Sequence, residues 1–201
     1  MLSAMAASPE QLLAQLRDLG IKVATHKHAP VFTVEESRRL RGALPGGHCK
    51  SLFLKDKGAD LAAGRLWLVV ALEDRTLDLK RLRRQLNAKS LSFGSPELLM
   101  ACLGVAPGAV TPFGVINDAG ARVQVVLDRA MLACDPLNYH PLTNTHTSAI
   151  APRDLLAFLR SNRHEPLILD FDAPEAGAPE AGAPEVGASD TDLPERPQTA
   201  I

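Results

Sequence analysis

The chain has 201 residues, of which 46% are hydrophobic and 22% are charged. This composition fits one globular domain with its own core and excludes collagen, coiled-coil and disulfide-miniprotein classes. The chain has no run of about 18 apolar residues, and its first residues lack the basic flank and apolar stretch of a signal peptide. We therefore expect a cytoplasmic protein without a membrane anchor. Its three cysteines have unrelated spacings and predict neither a disulfide framework nor a zinc site.

The net charge of −1 is divided unevenly along the chain. Residues 173–201 carry six acidic side chains and one arginine, a net charge of −5, which leaves +4 on residues 1–172. This tail repeats Ala-Pro-Glu every five residues and has no aromatic side chain. It cannot bury enough apolar area to offset the entropy of ordering. We predict a domain over 1–172 and a disordered tail over 173–201, which is a passive extension, a tether or a decoy for the basic face.

Helix and strand signals alternate along the body without the regular rhythm of a doubly wound sheet. Capping residues and apolar periodicity predict helices at 9–19, 33–41, 78–86 and 96–103, and another starting at Pro152. Alternation and β-branched runs predict strands at 22–28, 51–55, 66–72, 114–116 and 123–127, with a turn at 117–120. The mixture indicates an α+β domain with a mixed, mostly antiparallel sheet.

Common catalytic signatures are missing. The sequence has no P-loop, dinucleotide-binding glycine motif, nucleophile elbow or His-Glu-x-x-His. Instead, a glycine-rich loop at Gly46–Gly47 leads directly into a strand that carries Lys50. Backbone N–H groups beside an ammonium suit a phosphate or a developing oxyanion, although a lysine at a strand edge is often simply solvated.

Two pairs of neighbouring side chains are also candidates for a nucleophile with its base or for metal ligands, but neither pair favours such a site. His48 and Cys49 are adjacent on a strand and point to opposite faces, so they do not form a nucleophile and its base. His26 and His28 lie on one strand face, but no third ligand accompanies them. We therefore predict no metal and no other cofactor.

Two polar or glycine-containing segments can line a pocket. The run 111–114, Thr-Pro-Phe-Gly, combines a rigid proline, an aromatic ring and a glycine that allows close approach, but a plain turn has the same composition. The run 139–148 is dense in hydroxyl, amide and imidazole groups and equally fits an exposed strand.

The helix predicted at 78–86 has the most basic face in the chain. Its leucines lie opposite four cations, namely Lys80, Arg81, Arg83 and Arg84. Such a face is often only solvated, but it can also hold a phosphate backbone.

Several segments together resemble a known family. In order, they are 45–54, 66–70, 91–95, 111–114 and 140–144. Over residues 8–168 the chain resembles the free-standing prolyl-tRNA editing proteins of the YbaK/aminoacyl-tRNA deacylase superfamily, in particular the branch that hydrolyses alanyl-tRNA(Pro). The sequence departs from that branch at Gly114-Val115, where alanine and a larger aliphatic residue are common.

The resemblance implies a curved sheet around a central pocket and hydrolysis of an amino acid mischarged onto tRNA. It implies that Lys50 is required for activity. The substrate pocket then takes seven further residues, namely Thr33, Ser51, Pro112, Phe113, Gly114, His140 and Asn144. The implied partners are aminoacyl-tRNA(Pro) and prolyl-tRNA synthetase, with no membrane or DNA. The basic helix becomes the candidate contact with the acceptor stem.

The implied chemistry needs few catalytic groups, because an aminoacyl ester is already activated. The site must position the ester, supply water and stabilise the oxyanion. A synthetase pocket for proline cannot strongly reject the smaller alanine, whereas a second, smaller pocket can admit alanine and exclude proline. His140 and Phe113 are the candidates for that filter.

Three other functions fit the same residues. The substrate can be cysteinyl-tRNA(Pro), and the width of the pocket would discriminate between the two esters. A non-catalytic tRNA-binding or synthetase-associated module would keep the basic helix without needing Lys50. A cysteine hydrolase would use Cys49 or Cys134 and would be sensitive to thiol alkylation.

Overall fold

A computed structural model describes residues 6–30, 44–56 and 65–173. Its helices are α1 (Pro9–Asp18), α2 (Leu79–Gln85), α3 (Pro96–Leu103) and α4 (Pro152–Ser161). Its strands are β1 (Ala24–Lys27), β2 (Gly47–Asp56), β3 (Leu66–Leu72), β4 (Leu91–Phe93), β5 (Val123–Asp128), β6 (Leu137–Tyr139), β7 (His146–Ile150) and β8 (Leu167–Leu169). Two 3-10 helices cover Pro112–Asn117 and Arg129–Ala133. None of the helices in these ranges is long and apolar enough to cross a membrane.

The helix starts follow the local signals in the sequence. Ser8 accepts a hydrogen bond from the N–H of Gln11, whose side chain accepts one from the N–H of Ser8, which completes a capping box at α1. Asp78 caps α2 by accepting hydrogen bonds from two backbone N–H groups. The helices predicted at 96–103 and from Pro152 are confirmed, and the one at 78–86 is confirmed over Leu79–Gln85.

One predicted strand is wrong. Residues 114–116 belong to the 3-10 helix Pro112–Asn117, so the expected hairpin across the turn at 117–120 does not form. Thr111 starts this helix by accepting a hydrogen bond from the N–H of Phe113. A short apolar run cannot by itself distinguish a strand from a buried helical turn. The strand predicted at 22–28 is shorter in the structure, and the helix predicted at 33–41 lies outside the described residues.

The strands form a mixed sheet in the order β1-β7-β6-β2-β3-β5-β8, with β4 also paired to β2. In the described ranges, four pairings are antiparallel and three, β2 with β6, β3 with β5 and β5 with β8, are parallel. The predicted α+β class with a mixed sheet is confirmed. Strand β2 changes partner along its length: its first two residues pair with β6, and the following ones pair with β3.

Apolar side chains cover both faces of the sheet. Leu68 and Val70 of β3 face a core that includes residues of α1, α3 and α4. Trp67, Val69 and Ala71 face a second cluster formed with α2 and Phe171. Strand β3 is therefore buried on both faces, which explains its almost continuous apolar sequence.

Candidate functional site

A small cavity of about 40 Å³ lies where β7, β6 and β2 are neighbours in the sheet. Ser51 of β2, Asn138 and Tyr139 of β6, and Thr147 of β7 contribute to its lining, together with His140, which directly follows β6. The sheet thus brings together groups that are far apart in sequence. Two of the residues implied by the resemblance, Ser51 and His140, meet in this cavity.

The imidazole of His140 has a defined orientation. Its Nδ1 lies 2.8 Å from the carbonyl oxygen of His146, which can only accept a hydrogen bond. Nδ1 therefore carries the proton, and Nε2 has a lone pair. Burial lowers the pKa of His140, although the bond to His146 partly offsets this effect. Neutral His140 is thus a hydrogen-bond acceptor in the wall of the cavity.

The neighbouring His28 contacts two of the residues that line the cavity, His140 and Thr147. Its ring centre is 5.8 Å from that of His140, and its Nε2 lies 2.9 Å from the hydroxyl of Thr147. Within the described part of the chain, no three His, Cys, Asp or Glu side chains cluster closely enough to hold a metal ion.

Asn138 is a cavity residue that the sequence did not indicate, whereas Tyr139 begins the run 139–148 that the sequence indicates as a candidate pocket wall. The amide nitrogen of Asn138 donates hydrogen bonds to the carbonyl oxygens of Pro45 and Gly47, at 2.9 and 3.4 Å. Tyr139 is buried, and its ring packs edge-on against Phe113 with 5.9 Å between ring centres. Asn138 directly precedes the run 139–148, and no local spacing separates lining residues from exposed ones there.

Cys49 also contributes to the cavity but does not have the properties of a nucleophile. Burial raises the pKa of its thiol to about 12, so the thiol is protonated at neutral pH. The structure therefore does not favour Cys49 as the nucleophile of a cysteine hydrolase.

Lys50 lies on the opposite face of β2 from Cys49 and Ser51. Its ammonium donates hydrogen bonds to the backbone carbonyls of Glu73, at 3.1 Å, and Arg75. Burial lowers the pKa of Lys50, and the negative charge of Glu73 partly counteracts this shift. Lys50 thus holds the loop that follows β3.

That loop forms one side of an open groove of about 420 Å³, whose other side is the Gly46–Gly47 loop. His48 and Glu73 line both the groove and the small cavity, so the two spaces adjoin. Arg75 lies in the groove wall and forms ion pairs with Asp128, at 2.9 Å, and Asp172, at 2.8 Å. A small space thus adjoins a larger groove, whose charged lining residues are Glu73, Asp74 and Arg75.

The segment 111–114 lies behind the cavity. Phe113 is fully buried and packs against Tyr139 and Phe158. A Cβ atom added to Gly114 would be 3.0 Å from Cβ of Leu103, so this glycine allows close packing against α3. Pro112 is buried in the same 3-10 helix. Val110, which directly precedes the segment 111–114, is the residue of this region that lines the cavity.

The remaining candidates lie elsewhere. Thr33 is outside the described residues, and Asn144 is half-buried in the turn between β6 and β7. The four cations of α2, Lys80, Arg81, Arg83 and Arg84, are on the helix that covers the other face of the sheet. Arg75 connects the two regions, because it also lines a depression beside Arg81.

Sequence comparisons relate this chain to editing proteins. The family model described as "Aminoacyl-tRNA editing domain" matches residues 28–158. A "Prolyl-tRNA synthetase associated domain-containing protein 1" of Xenopus laevis is 38% identical over 167 residues, covering 81% of this chain and 96% of that protein. A "Prolyl-tRNA editing protein ProX" of Acetoanaerobium sticklandii is 35% identical over 154 residues, covering 76% and 91%.

Solved structures share the fold. One, described as a candidate trans-editing enzyme for prolyl tRNA synthetase, superposes with a TM-score of 0.59 and 22% identity, covering 83% of this chain and 98% of that one. Another, a hypothetical protein, has a TM-score of 0.62 and 18% identity, covering 79% and 97%. At these identities the likeness concerns the fold alone.

Proposed function

Because this chain belongs to the aminoacyl-tRNA editing domain family, we propose that it hydrolyses alanyl-tRNA(Pro) to alanine and tRNA(Pro). The proposed partners are the charged tRNA and, in the same process, prolyl-tRNA synthetase. The observation that carries this proposal is the small, acceptor-lined cavity beside the open groove. The cavity suits the aminoacyl group, and the groove suits the terminal nucleotide.

The size of the cavity favours a small amino acid. A space of about 40 Å³ has room for roughly three water-sized groups, since one such group needs about 10–15 Å³ of this volume. The methyl and amino groups of alanine fit this room, whereas the proline ring adds further methylenes. The wall that excludes the ring would include His140 and Tyr139, and Tyr139 is supported from behind by Phe113.

The reaction needs no covalent intermediate. Water attacks the ester carbonyl carbon, the tetrahedral oxyanion collapses, and the carbon–oxygen bond to the ribose breaks as that ribose oxygen takes up a proton. The lone pair of His140 Nε2 and the hydroxyl of Ser51 can orient the water. Lys50 would keep the loop at Glu73 and Arg75 in place and add positive charge near the groove, where the terminal phosphate lies.

The test is deacylation of alanyl-, cysteinyl- and prolyl-tRNA(Pro) by the wild-type chain, Lys50→Ala and the control Lys55→Ala. Lys55 is a lysine of the same strand, near its other end. We expect the wild type to prefer the alanyl ester, Lys50→Ala to lose at least about 100-fold in kcat/KM, the scale of one electrostatic group at the site, and Lys55→Ala to resemble the wild type.

The other outcomes identify the alternatives. A preference for the cysteinyl ester would assign the chain to cysteinyl-tRNA(Pro). Tight tRNA binding without hydrolysis of any ester would support the binding-module function, for which the four cations of α2 are the relevant observation. Full activity of Lys50→Ala would remove Lys50 from the mechanism.

A further inference from the structure

A second groove, of about 430 Å³, lies at the end of the sheet away from the cavity. We call it the far groove; it is bounded by Leu66, Asn87, Arg122 and Glu165. Strand β3 spans the distance between the two sites, because Leu66 lines the far groove and Leu72 lines the groove beside the cavity. A strand of 7 residues covers about 20 Å. The far groove is therefore a separate space from the candidate site.

The charged lining of the far groove is mostly cationic. Among the described residues, it comprises one acidic side chain, Glu165, and three arginines, namely Arg65, Arg122 and Arg163. Glu165 is held by Arg160 in a bidentate ion pair, with nitrogen–oxygen distances of 2.9 and 3.1 Å. Arg65 and Arg163 are exposed, and neither makes an ion pair with another described residue. These two guanidinium groups are accessible to an anionic ligand.

A buried carboxylate fixes the cationic side of the far groove. Asp118 is 1% exposed and accepts a hydrogen bond from Nε of Arg122 at 3.1 Å, and its other oxygen lies 3.2 Å from Nε2 of His164. Arg163 donates a hydrogen bond to the carbonyl of Ala119. These contacts join the turn before β5 to the turn before β8. The groove wall is thus formed before a ligand arrives, which lowers the cost of binding.

The far groove begins where the basic helix α2 ends. Gln85, the last residue of α2, lines both the far groove and the depression beside Arg81. Asn87 and Gln124 add side-chain amides to the lining. Arginine and amide side chains are the groups that commonly contact the phosphates and sugars of a nucleic acid. Their distribution from α2 to the far groove suits a chain of phosphates better than a single one.

We propose that the far groove binds backbone phosphates of the tRNA through Arg65 and Arg163 while the aminoacyl end occupies the cavity. This inference rests on the proposed function and adds a second contact surface to it, about 20 Å from the site. A nucleic acid carries a phosphate at every nucleotide, so a tRNA arm leading away from the cavity presents phosphates along this distance. Such contacts position the arm without reading its bases.

The experiment measures the affinity of uncharged tRNA(Pro) for the wild type and for Arg65→Gln/Arg163→Gln over a range of KCl concentrations. The control, Arg17→Gln/Arg153→Gln, removes the same charge from exposed arginines of α1 and α4. We expect the slope of log K against log salt to fall by about 1.5 in the first variant, since each phosphate contact contributes roughly 0.7–0.9. With an unchanged intercept at 1 M salt, this equals about 30-fold weaker binding at 0.1 M. The control should keep the wild-type slope.

The other outcomes are distinguishable. An unchanged slope in Arg65→Gln/Arg163→Gln, or no binding of tRNA(Pro) by the wild type, would overturn the inference. If the wild type binds pyrophosphate at constant ionic strength, the variant does not, and the tRNA slope is unchanged, the far groove holds a small phosphate compound and the inference is again overturned. If the slope falls but the wild type hydrolyses no aminoacyl ester, the inference stands and the proposed function fails.

A second measurement uses the wild type alone, in case the double variant does not fold. Phenylglyoxal modifies accessible arginines, and peptide mass analysis compares the rates with and without tRNA(Pro) at about ten times its Kd. We expect about 10-fold slower modification of Arg65 and Arg163, which is set by the fraction of protein left unbound. The rates at Arg17 and Arg153 should not change. Equal rates at Arg65 and Arg163 with and without tRNA would contradict the inference.

Discussion

His140 presents a neutral imidazole to a space that holds only a few atoms. Its Nδ1 bond to the carbonyl of His146 fixes the ring, and burial keeps its pKa below the ordinary value. The same ring can therefore act as a wall and as an acceptor. Both roles depend on the ring being held, and the carbonyl of His146, the first residue of β7, holds it.

We predict that His140→Ala broadens the range of substrates. Removing the ring enlarges the cavity, so the ratio of prolyl to alanyl hydrolysis should rise by about 10-fold or more, the discrimination expected for a missing group of this size. Deacylation of the two charged tRNAs measures the ratio. The matched control is His26→Ala, an exposed histidine of β1. An unchanged ratio in His140→Ala would show that this ring is not the filter.

We predict that Cys49 reacts slowly with iodoacetamide in the folded protein. A pKa of about 12 instead of 9.0 reduces the thiolate fraction at pH 8 by about a thousand-fold, and the greater nucleophilicity of a more basic thiolate recovers roughly 20-fold. Alkylation followed by peptide mass analysis should show at least about 50-fold slower labelling of Cys49 than in the urea-unfolded chain. Labelling at similar rates would restore the thiol as a candidate nucleophile.

Among the elements, the loop before β2 depends on two adjacent glycines. Gly46 has φ of +96°, and a Cβ atom there would overlap the backbone carbonyl of Pro136. A Cβ atom on Gly47 would lie 2.7 Å from Cβ of Cys134. The predicted glycine-rich loop is therefore explained first by close backbone packing against the segment before β6.

We predict that Gly46→Ala destabilises the fold by more than about 2 kcal/mol, since it combines left-handed strain of about 1 kcal/mol with a clash that the backbone must relieve. Gly20→Ala is the control, because Gly20 has φ of +71° but a Cβ atom there would meet no other atom within 4 Å. That variant should cost only the strain, about 1 kcal/mol. Urea denaturation measures both, and equal costs would show that the contact with Pro136 relaxes freely.

The 3-10 helix Pro112–Asn117 contributes to the cavity indirectly, because it packs against a residue that lines it. Its apolar residues pack into the core beneath Tyr139, and its glycine admits α3 rather than a ligand. The resemblance placed this segment in the substrate pocket, whereas in the structure Pro112, Phe113 and Gly114 do not line the cavity, and Phe113 packs behind Tyr139 in its wall.

At the scale of the whole molecule, the sheet separates the cavity from the basic helix α2. The cavity and the core behind it lie on the side of α1, α3 and α4, whereas α2 and the segment around Phe171 cover the other side. Arg81 of α2 donates a hydrogen bond to the carbonyl of Ala173, the last of the described residues. Arg75 lines both the groove and a depression beside Arg81, and it is ion-paired with Asp128 and Asp172.

We predict that the double variant Lys80→Gln/Arg83→Gln binds tRNA(Pro) more weakly and with a shallower salt dependence. Losing two phosphate contacts should reduce the slope of log K against log salt by about 1.5, since each contact contributes roughly 0.7–0.9. Filter binding over a range of KCl concentrations measures the slope. The charge-matched control, Arg17→Gln/Arg153→Gln, changes exposed arginines of α1 and α4 and should keep the wild-type slope. Unchanged slopes in the first variant would exclude α2 as the contact.

The amino-acid sequence by itself determined the elements whose signals are local. Capping residues, first-turn prolines and apolar periodicity act within a few residues, which is why α1, α3, α4 and β3 could be predicted. The quoted motifs also indicated the family, which the match over residues 28–158 confirms. The same motifs include Lys50, which lies on β2, and His140, which directly follows β6.

Only the tertiary structure decided how the site is assembled. The cavity exists because β2, β6 and β7 are neighbours, an arrangement that depends on the pairing of Gly47 with the distant Leu137. Long-range pairing reveals that Asn138 keeps a buried, unpaired oxygen, that Phe113 supports the wall from behind and that Lys50 holds a loop on the other face. No local pattern encodes these relations, because burial and hydrogen-bond partners depend on which distant segments meet.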